Sequence, residues 1–165
     1  MPTRRTLTAA AAVTVLAAAA GGGWYATRPA AEAPAGPVLT DGGLAVRGYD
    51  PVAYFTDGRP VEGRPEHTAT HAGATYRFAT AEHKAAFAAD PAKFVPQYGG
   101  YCAWAVSQGY TAPIDPAAWR IVDGRLYLNY SQQVQADWQK DVPGHITRAN
   151  GNWPGLEQKL ATGGG

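Results

Sequence analysis

One thiol and a handful of imidazoles carry most of the chemistry open to this sequence. Cys102 is the only cysteine, and the four histidines are His67, His71, His83 and His145. Thiolate and imidazole together suit a soft metal such as copper or zinc, and they are also the two parts of a nucleophile–base pair. Cys102 and His83 are the leading pair for either use. Two protein ligands leave a metal site incomplete, so His67, His71, Asp50 or a second chain must contribute. His67 and His71 are an even number of residues apart and share one face of an extended segment. That spacing fits a metal pair, and it equally fits a threonine-rich strand with exposed histidines. Sequence does not place His145.

The elements that must position these groups are legible from Tyr76 to Cys102. Tyr76 and Phe78 alternate with Thr75 and Arg77, as in a strand with one buried face. Thr80 is a good N-cap, Glu82 follows in the first turn, and His83 and Phe87, four apart, share the inward face of a helix. Asp90-Pro91 ends that helix and starts a short second one. A further short helix from Tyr101 to Ser107 puts Cys102 in its first turn, where the dipole favours the thiolate; the alternative is a small, buried core residue. Tyr98, Tyr101, Trp104 and Tyr110 either line a small-ligand pocket or fill the core.

Elsewhere the pattern predicts two hairpins. Glu66 to His71 turns at Ala72-Gly73 into Thr75 to Phe78, and Trp119 to Val122 turns at Asp123-Gly124 into Arg125 to Tyr130. Leu44 to Val46 is a further short strand candidate. Asp50-Pro51 reads as a cap rather than a catalytic acid. Ser131 caps a helix carrying Val134 and Trp138, which Pro143-Gly144 breaks; Ile146 and Ala149 then mark a last helical turn, stopped by Asn150 to Pro154 with Trp153 plugging the core. The expected fold class is α+β, a compact single domain with two antiparallel β-hairpins and several short helices.

Tyr76-x-Phe78-x-Thr80-x-x-His83, with Phe87, Asp90-Pro91 and Phe94 behind it, resembles a YHS domain, and Gly48-Tyr49-Asp50-Pro51-Val52-Ala53-Tyr54-Phe55 resembles that family's opening segment. The similarity runs from about Gly48 to Trp153 and takes in Pro96 to Ala103. The cysteine-rich branch of the family, associated with heavy-metal transport and copper handling, has cysteines where this chain has Ala53, Ala79 and His83. Its thiolate set is missing here, so the resemblance alone does not bring metal binding with it.

Composition narrows the function classes. The chain has 165 residues and a formal net charge of +1, with no basic run or stripe, which argues against nucleic acid. Motifs for phosphate, dinucleotide, zinc-protease and serine-hydrolase chemistry are absent. The reading is an exported, YHS-like, non-enzymatic binding protein whose partner is a metal ion, copper foremost, or a small ligand. A thiol-dependent enzyme or redox protein using Cys102 is the first alternative, and a structural or partner-binding module the second. Residues 1–35 read as a twin-arginine-like export signal (Arg4-Arg5, Leu7) and an Ala/Pro linker, 36–160 as the domain and 161–165 as a disordered tail. The apolar run from Ala9 to Ala20 is short and alanine-rich for a membrane span, so the mature chain spans no membrane unless the signal is retained. The destination is the periplasm or the extracellular space. Replacing Arg4 and Arg5 with Lys should strand the protein in the cytoplasm with its fold intact, since the export receptor reads the arginine pair itself; unchanged export in a fractionation assay points to the general secretory route instead.

Overall fold

Alternation in the second long strand candidate sets the core. The computed structural model describes residues 37–163, and in it Ala74, Tyr76 and Phe78 of strand β4 (Ala74–Phe78) are buried while Thr75 and Arg77 face the other way. Helix α2 (Ala81–Ala89) lays Phe87 against Tyr76 and Phe78, with ring centroids 4.9 and 5.0 Å apart. Burying one such side chain stabilises by roughly 1.5–3 kcal/mol. The fold is α+β, as the pattern predicts.

Strand β3 (Arg64–His71) pairs antiparallel with β4 through a turn in which Ala72 and Gly73 have φ of 50° and 76°. A register shift between Arg64 and Thr68 marks a bulge in β3. The sheet is larger than one hairpin. Strands β1 (Thr40–Asp41) and β2 (Leu44–Ala45) extend it in the order β1-β2-β4-β3, with β2 parallel to β4. That edge holds the start of the described chain, and Leu39 N–H also donates to Gly99 O at 2.9 Å. Gly99 is required there, because a Cβ would overlap the Pro37 carbonyl and its φ is +60°.

The second sheet is the hairpin of β5 (Asp115–Val122) and β6 (Arg125–Asn129). Its turn has φ of 50° at Asp123 and 71° at Gly124, the pairing of signs that a two-residue hairpin demands. Alternation along β6 makes it a partition. Leu126 and Leu128 enter a first apolar cluster with Tyr54, Tyr76, Phe78 and Phe87, and Tyr127 enters a second with Tyr98, Val106 and Trp138. Helix α4 (Ala103–Ser107) straddles both, since Ala105 belongs to the first and Ala103 and Val106 to the second.

Short helices complete the frame. These are α1 (Ala53–Thr56), α3 (Pro91–Phe94) and α5 (Gln132–Trp138), the last capped by Ser131 Oγ, which accepts from Val134 N–H at 3.2 Å. The C-terminal region departs from expectation. Instead of one helical turn stopped before Pro154, α6 (Val142–Ala161) runs for 20 residues straight through that proline. Pro143 starts this helix in the first turn, and Asp141 caps it by accepting from Gly144 N–H at 3.0 Å. An interior proline forgoes one backbone hydrogen bond; here Ile146, Ala149, Trp153 and Leu156 offset the loss by packing on the second cluster. The helix enters the stretch assigned to the tail by one residue. The export signal and linker lie outside the described residues, as do residues 164–165.

Gly124→Val should destabilise the protein by about 1 kcal/mol or more in chemical denaturation, because a β-branched residue resists positive φ; a neutral result removes the turn's control of the hairpin.

Candidate functional site

The capped start of α2 aims His83 at Asp50. Thr80 Oγ1 accepts from His83 N–H at 3.1 Å, fixing the first turn, and His83 Nδ1 lies 2.6 Å from Asp50 Oδ2. Asp50 is fully buried. Its Oδ1 accepts from Val52 N–H at 2.8 Å and Ala53 N–H at 3.3 Å, and its Oδ2 also accepts from Ala79 N–H at 2.8 Å. A carboxylate offers about four acceptor sites, so Asp50 is saturated. It is a cap, as its Asp-Pro context suggests, and not a spare metal ligand. On the far side of the ring, His83 Nε2 stands 3.2 Å from Thr56 Oγ1 and 3.8 Å from Asp57 Oδ1. The row Asp50–His83–Thr56 has the outline of an oriented base beside a hydroxyl. Thr56, however, also contacts Val52 O at 3.2 Å and Asp57 Oδ1 at 2.7 Å, which makes the row a clamp between the 50–57 segment and the β4–α2 junction.

Cys102 sits elsewhere, with different neighbours. It is the N-cap residue of α4 rather than a member of its first turn, and its side chain enters the first apolar cluster. Sγ accepts from Tyr130 N–H at 3.2 Å and lies 3.7 Å from Asn129 Oδ1. Burial pushes its pKa up, against the smaller opposing effect of backbone hydrogen bonds. Of the two readings open from sequence, the buried core residue is the one the packing favours over the dipole-stabilised thiolate: the helix is five residues long, and desolvation of the charged form outweighs its dipole.

The remaining histidines do not gather around either group. His71 packs its ring on Tyr76 and Phe87 at 6.4 and 5.8 Å. His67 lies near Glu82, whose carboxyl is held below its usual range first by its own backbone N–H, then by Thr80, with a smaller share from His67. His145, which sequence could not place, is buried on α6 with Nδ1 2.8 Å from Ser107 Oγ and 3.1 Å from Arg148 Nη2. Burial and then Arg148 lower its pKa. Ser107 is itself buried and 2.6 Å from Trp104 O, so this Ser–His contact ties α4 to α6. Among the described residues, no three His, Cys, Asp or Glu side chains stand where they could hold a metal ion. His83 and Cys102 share no polar partner.

The aromatic quartet divides. Tyr98 and Tyr101 pack on Trp153 at 5.9 and 6.2 Å, and with it join the second cluster. Trp104 and Tyr110 instead border an open pocket of about 210 Å³, lined also by Cys102, Ala105, Ala112 and Val134. Their rings meet edge to face, centroids 6.3 Å apart and planes at 80°. Tyr130 is the third ring, and sequence reading missed it. The signal was its place just after the buried Leu128-Asn129 end of β6, where the chain leaves the sheet. Tyr130 also borders a larger cleft of about 630 Å³, lined by Leu39, Val46, Arg47, Ile114 and Asp115 among others.

No family model, curated protein or solved structure matches this chain. The pocket and the Asp50 clamp are two places among the described residues where chemically distinctive side chains converge.

Asp50→Ala should lose about 3 kcal/mol in denaturant unfolding, since it strands buried N–H donors and the imidazole together, whereas His83→Ala should cost about 1 kcal/mol. Equal losses place the stabilisation in the His83 contact alone.

Proposed function

We propose that this chain is an exported, YHS-like, non-enzymatic binding protein that takes a small ligand in the pocket of Trp104, Tyr110 and Tyr130. One observation carries the reading. Tyr110 and Tyr130 are the large hydrophobic residues that stand exposed among the described residues, at 48% and 56%, and both border this one pocket. Exposed rings that converge on a concavity mark a binding site more often than scattered ones do. The size fits a small molecule: a cavity of about 150 Å³ holds benzene, and this one measures about 210 Å³. The metal reading has less support, because Asp50 is saturated and the histidines point to separate partners. The thiol-enzyme reading has less too, because the Cys102 thiol is buried and held protonated by desolvation.

Amide and indole NMR shifts recorded with phenol, indole and tetramethylammonium should move at Trp104, Ala112 and Val134 for at least one probe. Val134→Phe, which fills the pocket, should abolish those shifts. Shifts confined to other surfaces, or none with any probe, overturn the proposal.

A further inference from the structure

Resting on the pocket reading above, we infer that the ligand presents a quaternary ammonium group to the three rings. The aromatic geometry is the first reason. Two rings at 80° make a corner in which a cation can face one π-cloud directly and lie beside the other, and a cation within about 6 Å of a ring centroid is attracted by the ring quadrupole. Tyr130 closes the third side.

Hydrogen-bond accounting decides which cation. Three backbone acceptors on the apolar side of the pocket are already in use: Trp104 O takes Ser107 Oγ–H and Gln108 N–H, Ala105 O takes Gln108 N–H and Tyr110 N–H, and Ala112 O takes Cys102 N–H. A primary ammonium carries three N–H donors and would find none of these three carbonyls free to replace its lost hydration, which is costly. A quaternary ammonium has no N–H to strand, and its methyl groups suit Ala105, Ala112 and Val134.

Charge around the site points the same way. No charged side chain lines the pocket itself. In the adjoining cleft, Arg47 is paired with Asp41 at 3.3 Å, which leaves Asp115 without a cation among the described residues. Asp115 Oδ1 accepts from Ala117 N–H at 2.9 Å, so the carboxylate is held in place in the cleft that Tyr130 also borders. It supplies a fixed negative charge to a cation seated among the rings, and the cleft gives the remainder of the ligand a place to extend.

Calorimetric titration at low salt tests the charge separately from the shape. Choline should bind saturably, while 3,3-dimethylbutan-1-ol, its uncharged isostere, and ethanolamine, its primary analogue, should each bind about tenfold more weakly or worse. Asp115→Asn keeps the bond to Ala117 and should weaken choline by about threefold with no effect on the isostere. Val134→Phe should abolish binding of all three. If the uncharged isostere binds as tightly as choline, or if phenol or indole binds and choline does not, the ammonium inference falls while the small-ligand pocket stands. If no probe binds to protein whose near-ultraviolet dichroism shows it folded, both fall.

Discussion

A carboxyl group with no access to water is costly unless every acceptor site it owns is filled, and Asp50 meets that condition from three parts of the chain. Its own turn supplies Val52 and Ala53, the end of β4 supplies Ala79, and α2 supplies His83. Each donor is correctly placed only when the others are. The opening segment thereby brings Tyr54 into the core, with its hydroxyl donating to Pro116 O at 2.9 Å and its ring 5.2 Å from Trp119. The first sheet, α2 and the start of β5 are joined through two side chains of one segment, Asp50 and Tyr54.

The second half is organised by the partition at β6. Because its residues alternate between two clusters, α4 is gripped from both sides, and the cysteine at its start is drawn into the interior. Asn129 completes the arrangement: its Oδ1 accepts from Trp104 N–H at 3.1 Å and faces the Cys102 thiol. This polar pair fixes the backbone on which Trp104 stands and the strand end from which Tyr130 leaves.

Local chemistry was legible in the chain and assembly was not. Thr80, Ser131 and Asp123-Gly124 act within a few residues of themselves, so their types and spacings announced the caps and the turn that the structure contains. The inward direction of His83 followed from the same helix periodicity, but its partner lies 33 residues away. Cys102 stayed open between thiolate and core residue because a helix start stabilises a thiolate only when water remains nearby, and burial is set by distant elements. The parallel β2–β4 pairing, the passage of α6 through Pro154 and the Ser107–His145 contact all depend on distant surfaces. Tyr130 was not legible in the sequence because a tyrosine at a strand end looks the same whether it packs or stands exposed beside a pocket.

The bulged strand β3 has a further consequence. As the outer strand of its sheet it offers eight residues of backbone to any passing chain, the geometry from which edge-to-edge polymers grow. Three features of its first half oppose that growth. Pro65 lacks an N–H, Arg64 and Glu66 set exposed charges around it, and the bulge before Thr68 twists the edge out of register with a straight neighbour. A second molecule arriving at this end finds neither a regular ladder nor an uncharged surface, so this half of the edge is a poor template for a fifth strand from another copy.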